Sequence, residues 1–269
     1  YRGQNYMPPQ YRQETIKDLF MYGNTQVYFD DSARVADVYF DQLSATAVHH
    51  GMQIRDIHGK VEVAREAIAL DQLGGHIGNT AFSADMHFYL GENDSIRKAS
   101  NVFSLTAELM DFDELSNYAS RQESGQQHTD RSDTLYNLYA LPFNDFQFEF
   151  RIDTMRYHRH LIRDLQAQLS TSRDQQLTID QLSLHTAGGQ VQLSGHFDGS
   201  DPDSIYFYPV LVLEEVGLSD LLYQFDNFGQ EQIISDNLRG QLSGRVMGAL
   251  RVQPNMVPDI GASDLVMDL

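Results

Sequence analysis

One pattern in this chain returns after 106 to 109 residues, and that return limits what the chain can fold into. Ile54-Arg55-Asp56-Ile57 matches Ile162-Arg163-Asp164-Leu165. Ile68-Ala69-Leu70-Asp71-Gln72-Leu73 matches Leu177-Thr178-Ile179-Asp180-Gln181-Leu182, and Met110 to Leu115 matches Val216 to Leu221. Gly74-Gly75 is a looser match to Gly188-Gly189. Matches in the same order at a nearly constant offset mark an internal repeat. A third copy is expected to start at Leu238-Arg239-Gly240-Gln241-Leu242-Ser243-Gly244, cut short by the end of the chain.

The best-defined part of the repeat is Leu177 to Gly195. Leu177 and Ile179 alternate with polar residues, as do Leu182 and Leu184, then Val191 and Leu193. Alternation with period two means a strand with one buried and one wet face. Gly188-Gly189 predicts a tight hairpin turn, where positive φ angles are needed. The apolar parity changes between Ile179 and Leu182, which predicts a bulge at Asp180-Gln181.

The rest of the chain follows the same grammar. Tyr11 to Tyr22 has helical spacing at Ile16, Leu19 and Phe20, which predicts one short helix closed by Gly23. Alternation then begins at Val27 and Phe29 and runs through Val61 and Val63. Arg65-Glu66 is a turn, and Ile68 and Leu70 restart the alternation. Gly74, Gly75 and Gly78 break it, Phe82 to Phe88 resume it, and Gly91-Glu92-Asn93-Asp94 is another turn signal. Val102 to Met110 is a strand, followed by a short helix to about Tyr118 capped by Asp113. Ser219 is the matching cap in the second copy. Ala119 to Thr134 is polar without apolar periodicity and is expected to be an exposed loop or disordered. Strands return at Phe146.

The expected organisation is therefore a lead-in and helix over 1–23, a first β-unit over 24–118 and a polar linker over 119–145. A second β-unit over 146–228 and the start of a third over 229–269 follow. Few helices separate the strands, which disfavours a doubly wound α/β fold. Units that cannot bury an apolar face alone stack side by side. About twelve strands at roughly 4.8 Å spacing make a sheet that must curl. The expected fold is mainly β: an elongated, curled antiparallel groove of tandem units joined by short helices.

Charge and composition exclude several function classes. A formal net charge of -19 repels phosphate backbones and anionic headgroup surfaces, so no nucleic-acid partner is expected. Cysteine is absent, which removes disulfides, thiolate metal sites and Cys nucleophiles, and fits an oxidising compartment. No run of about 18 apolar residues offers a membrane span.

The pattern carried by Ile179, Asp180, Leu182, Gly188, Gly189, Val191, Leu193, Ser194 and Gly195 resembles the AsmA-like family of envelope proteins. Val216 to Phe225 resembles that family's short connecting helix, and Leu238 to Val246 its next strand pair. The resemblance extends from about Gly23 to Leu269 and is closest to the long, many-repeat members in Gram-negative bacteria. It implies a periplasmic location, an inner-membrane anchor outside this segment, and non-enzymatic movement of phospholipid toward the outer membrane. Phospholipid or another acyl-chain ligand would be the partner, with other envelope proteins at either end. A sixteen-carbon chain fully sheltered from water gains roughly 12 kcal/mol, so an apolar trough suffices without a catalytic group.

Val61, Val63, Ile68, Leu70, Leu177, Ile179, Leu182, Leu184, Val191 and Leu193 are the expected trough lining; a closed sandwich core is the competing reading of the same alternation. No catalytic residue, metal or cofactor is expected. His49-His50 and His158-x-His160 sit near matching positions, but no further ligand converges on either pair. Asp30-Asp31 is a third acidic pair. Asp111 to Glu114 and Glu214-Glu215 precede helices and fit capping better than glycosidase chemistry. Ser194 lacks a nucleophile elbow, and Gly74-Gly75-His76-Ile77-Gly78 lacks the Lys and helix of a phosphate loop. Asn93-Asp94-Ser95 matches a glycosylation sequon. Two alternatives to lipid transfer remain open: a β-repeat subunit whose groove is filled by another chain of an envelope assembly, and a carbohydrate-active enzyme on a β-sandwich.

Overall fold

The computed structural model describes residues 15–29, 33–48, 50–115, 145–157, 160–201, 203–224, 235, 237–253 and 258–268. The protein is mainly β. Among the described residues thirteen strands form one mostly antiparallel sheet in sequence order, and three short helices interrupt the series. The chain divides into two compact units, Tyr1–Gln126 with Asn144–Phe150, and Gln127–Phe143 with Arg151–Leu269.

The first unit contains β1 (Ile16–Val27), β2 (Arg34–Ala47), β3 (Met52–Ala64), β4 (Ala67–Ile77), β5 (Thr80–Tyr89) and β6 (Val102–Asp111). Helix α1 (Asp94–Ser100) lies between β5 and β6, and α2 (Phe112–Leu115) follows β6. Strand β7 (Phe146–Tyr157) begins in this unit. The second unit holds β8 (His160–Thr171), β9 (Gln176–Thr186), β10 (Gly189–Asp198) and β11 (Ile205–Gly217). Helix α3 (Leu218–Gln224), β12 (Gln241–Val252) and β13 (Pro258–Asp268) complete it. Among the described residues no helix is long and apolar enough to cross a membrane.

The helix expected up to Tyr22 is instead strand β1; residues 11–14 lie outside the described residues. Isolated helices of about a dozen residues are marginal, and pairing with β2 overrides the spacing. The helical appearance has a specific cause. Asp18 takes φ 51°, and the register steps between Lys17 and Phe20. A bulge of one residue turns an i, i+3 spacing into a same-face spacing on a strand. Gly23 caps nothing: it sits opposite Phe40, where a side chain would strike the Tyr39 carbonyl oxygen.

Bulges recur along the repeat. The expected one at Asp180-Gln181 is present, with the register stepping there against both β8 and β10. Its repeat partner Asp71-Gln72 bulges too, with Gln72 at φ 49°. Asp56 and Asp164, at matching places in β3 and β8, take φ 53° and 50°. A bulge frees a backbone N–H from the ladder, and a neighbouring strand supplies its acceptor. Asp56 N–H donates to Ser44 Oγ at 3.4 Å, Gln72 N–H to Asp85 Oδ1 at 2.7 Å and Glu215 N–H to Ser243 Oγ at 2.9 Å.

Several local assignments shift. Glu214-Glu215 forms a bulge in β11, with Glu215 at φ 53°, and does not cap a helix. The β9–β10 turn is Ala187-Gly188, with φ 50° and 74°, one residue earlier than expected. Gly189 already belongs to β10; a side chain there would collide with the backbone of Glu214 and Glu215. Gly74 and Gly75 lie within β4 and do not end it. Asp111, not Asp113, caps α2: its Oδ1 accepts the Glu114 N–H at 3.0 Å. Ser219 lies inside α3, and its hydroxyl donates to the Ser235 carbonyl at 2.8 Å. Helix α1 follows the expected Gly91–Asp94 turn, in a stretch to which the sequence assigns no element. Asn93 caps it, its Oδ1 accepting from the N–H groups of Ser95 and Ile96.

Buried polar groups fasten α1 to its unit. Arg97, 4% exposed, donates to Asp94 Oδ1 at 2.6 Å and to the Gly91 carbonyl at 2.9 Å, and lies 3.7 Å from Asp145 Oδ2. Asn101, fully buried, accepts from Tyr89 N–H and donates to the Asp145 carbonyl. In the second unit the equivalent anchoring is apolar: Phe197, Ile205 and Val252 are buried, with Leu177, Phe207 and Leu250 packed against them.

Candidate functional site: an apolar sheet face

Strand register sorts the side chains into faces. In the first unit Ala36, Val63, Ile68 and Phe88 are successive cross-strand partners. Two residues along the strands, Val38, Val61, Leu70, Met86 and Phe103 form the next row. All four residues expected to line a trough in this unit, Val61, Val63, Ile68 and Leu70, therefore share one face, and all are half-buried.

An aromatic ladder continues that face. Phe88 stacks on Phe146 at 5.4 Å, Phe146 on Phe148 at 5.4 Å and Phe148 on Phe150 at 6.1 Å, with Phe103 edge-on to Phe148. Such ring pairs add about 0.5–1.5 kcal/mol each beyond their buried area.

The second unit repeats the arrangement. Leu177, Phe197, Phe207 and Leu250 are successive partners across β9 to β12. Leu182, Leu193, Leu211 and Val246 form a parallel row, as do Leu184, Val191 and Leu213. Ile179 lies opposite Leu169 on one side and Gly195 on the other. The six expected lining residues of this unit thus also share one face. The Asp180-Gln181 bulge makes this possible, by returning Leu182 and Leu184 to the side of Leu177 and Ile179. Within each unit, no second sheet packs over this face among the described residues.

The sequence reading omitted Phe103, Phe207, Leu211 and the phenylalanines of β7. The β7 signal was available, since Phe146, Phe148 and Phe150 alternate with Gln147 and Glu149. The β11 signal was not: Tyr206 to Leu213 is apolar at nearly every position, so periodicity selects no face. Only its register with β10 does.

In the first unit the opposite face is mostly polar. Asp37 there is 1% exposed and collects cationic and hydroxyl partners. Tyr28 Oη donates to Asp37 Oδ2 at 3.0 Å, and Arg34 and Lys60 lie 3.4 and 3.5 Å from the same oxygen. Arg34 also bridges to Glu62 at 3.2 Å, and the Lys60 ammonium donates to Glu62. That bond to Glu62, with Asp37 nearby, holds the Lys60 ammonium charged well above the usual lysine range. Hydrogen bonding with Tyr28 and the same carboxylates likewise raises Arg34.

The remaining chemical candidates among the described residues do not assemble into a metal centre. Among the described residues no group of three or more His, Asp or Glu side chains is placed to hold a metal. His49, His158 and Asp30-Asp31 lie outside the described residues, and so does Ala119 to Thr134. His160 stacks on Tyr157 at 5.9 Å. Ser194 sits in β10 opposite Val210. The Asn93 side-chain oxygen is occupied in capping α1. No family model matches the chain, and no match is found among curated proteins or among solved structures.

Proposed function

We propose that the chain is part of a periplasmic, AsmA-like protein that shelters lipid acyl chains against the apolar sheet face and transfers them without chemical change. One observation carries this reading: in both units, aligned rows of half-buried aliphatic and aromatic side chains meet no second sheet among the described residues. A row such as Leu182, Leu193, Leu211 and Val246 offers continuous methyl and methylene contact across four strands. Each acyl methylene laid there leaves water at a gain of about 0.8 kcal/mol. No headgroup-specific contact is required, so the chain can slide. The repeat motifs from Ile54 to Gly195 support the same family reading, and the acidic surface discourages adhesion to anionic headgroups.

Photocrosslinking tests it. A photoreactive residue at Leu193 or Leu70 is expected to capture phospholipid in cells, identified by mass spectrometry. The same residue at Gln192 or Glu62, on the polar face, is expected to capture none. Equal capture on both faces, or none on either, ends the proposal.

A second reading draws on β1. Leu19, Phe20, Met21 and Tyr22 are each more than half exposed on a strand at the end of the sheet order. Such an edge can take another strand through its free backbone groups. On that reading the chain is an envelope-assembly subunit, and crosslinks from Met21 return polypeptide where those from Leu193 return no lipid.

A further inference from the structure

The two units carry the same constellation at their hairpin tips and engage it differently. In the first unit Arg55 lies opposite His76, and Asp56 follows on the bulge. In the second Arg163 lies opposite His185, and Asp164 follows on the bulge. Each unit adds an acidic residue from its short helix, Glu114 in α2 and Asp220 in α3.

In the first unit the Arg55 and Glu114 side chains are engaged, while His76 Nδ1 is buried without a hydrogen-bond partner among the described residues. Arg55 Nη2 donates to the Gly78 carbonyl at 3.0 Å, and Glu114 Oε2 accepts the Asn79 N–H at 2.7 Å. The tip is closed by its own residues. In the second unit neither Arg163 nor Asp220 has a hydrogen-bond or ion-pair partner among the described residues. His185 Nδ1 stands 3.4 Å from Asp164 Oδ2. A cleft of about 600 Å³ opens there, lined by Arg163, His185, Gly188, Asp220 and Tyr223 among others. That volume falls within the range of small-molecule sites, roughly 300–1,000 Å³.

A free guanidinium presents a fork of N–H donors that matches a phosphate in bidentate fashion. The free carboxylate of Asp220 repels a simple anion and attracts an ammonium. With Arg163 offering donors and Asp220 an acceptor on the same cleft, a zwitterion carrying both a phosphate and an ammonium group suits it better than a simple anion. We propose that this cleft binds an aminoalkyl phosphate, with Arg163 on the phosphate and Asp220 on the ammonium group. Such a group arrives either as a phospholipid headgroup or as a free phosphoethanolamine. Only the first source rests on the acyl-shielding reading.

Equilibrium dialysis of the whole chain with phosphoethanolamine, inorganic phosphate and short-chain phosphatidylethanolamine below its micelle concentration tests this. Phosphoethanolamine is expected to bind, and Arg163→Gln to weaken it roughly tenfold or more, as loss of a charge-assisted contact does. Asp220→Asn is expected to weaken phosphoethanolamine severalfold while leaving inorganic phosphate unchanged or tighter. Arg55→Gln, at the closed tip, is expected to change neither. Circular dichroism of each variant separates lost binding from lost folding. Tighter binding of the short-chain lipid than of free phosphoethanolamine identifies the lipid source; equal binding identifies the soluble one. Wild-type affinity in Arg163→Gln, or an Asp220→Asn that treats both phosphates alike, overturns the proposal. The outcome is independent of crosslinking at Leu193: a cleft that binds while Leu193 captures no lipid retires acyl shielding alone.

Discussion

The two units build comparable apolar faces and secure them by opposite means. The first relies on buried polar groups around α1, where Arg97 and Asn101 hold Asp145 and the β5 backbone. The second relies on a small apolar cluster, with Phe197 and Ile205 each 1% exposed. Polar anchoring fixes geometry through directed bonds but is costly when one partner is lost. Apolar anchoring contributes area and tolerates reshaping, yet a deletion leaves a cavity. An open sheet face has little core of its own, so each unit depends on whichever anchor it carries.

The largest expected effect follows from that contrast. Phe197→Ala is expected to destabilise the second unit by about 3–5 kcal/mol, the usual cost of removing a buried aromatic side chain. Phe148→Ala, in the half-buried ladder of the first unit, is expected to cost clearly less. Hydrogen exchange of β10 and β7 amides, read with urea unfolding, compares the two. Equal costs would show that the ladder is as closed as the cluster, and the contrast between the faces would vanish.

Asn101→Ala comes next. It strands the Tyr89 N–H and the Asp145 carbonyl in a buried place, at about 1–3 kcal/mol for a group left unsatisfied. Protection is expected to fall in β5 and β6 and to stay unchanged in β9 to β12. Loss of protection in β9 to β12 would mean that the units unfold together, and the separate anchoring would be wrong.

Ser243→Ala sharpens the comparison of bulges. It removes the acceptor of the Glu215 N–H and is expected to cost about 1 kcal/mol. Ser44→Ala, whose bond to Asp56 N–H is longer at 3.4 Å, is expected to cost less. Denaturant midpoints at constant slope measure both. A larger loss at Ser44 would show that distance is a poor guide to these catches.

Much of this was legible in the residues. Alternation located β3, β4, β9 and β10, and the parity change at Ile179 and Leu182 located a bulge before any register was known. The ten aliphatic residues drawn from that alternation fall on one face in each unit because side-chain period and bulge together determine the face. What stayed hidden has physical causes. In β1 a bulge imitates helical spacing. In β11 both faces are apolar, so no periodicity survives. At α1 a cap and about two turns of helix look like a loop, because seven residues are too few to show a period. The open cleft at Arg163 was hidden more deeply. Arg55-Asp56 and Arg163-Asp164 are identical pairs in the sequence, and they differ in their neighbours: the Gly78 carbonyl reaches the Arg55 guanidinium and Gln42 donates to Asp56, whereas Asp164 faces His185.

The smallest expected effect concerns Asp198, at the end of β10 beside the Phe197 cluster. Ser200 donates to its Oδ1 through the hydroxyl at 2.7 Å and the backbone N–H at 3.1 Å. These bonds favour the ionised carboxylate and hold its pKa below the usual aspartate range. A carboxyl depressed in the folded state binds fewer protons there than in the unfolded chain, so its contribution is present above the ordinary aspartate pKa of about 4. That contribution declines as pH falls through the depressed value. Because Asp198 lies near solvent, screening keeps the effect small. Ser200→Ala is expected to return the Asp198 titration toward the ordinary range, read by carboxyl carbon NMR, and to flatten the acid limb of stability slightly. Among the described residues the β5 end of the first unit has no such serine–carboxylate bond; there His87 Nδ1 lies 2.8 Å from the Ser100 carbonyl. The first unit is therefore expected to keep its acid limb in Ser200→Ala, and a matching change there would show that the two ends titrate as one.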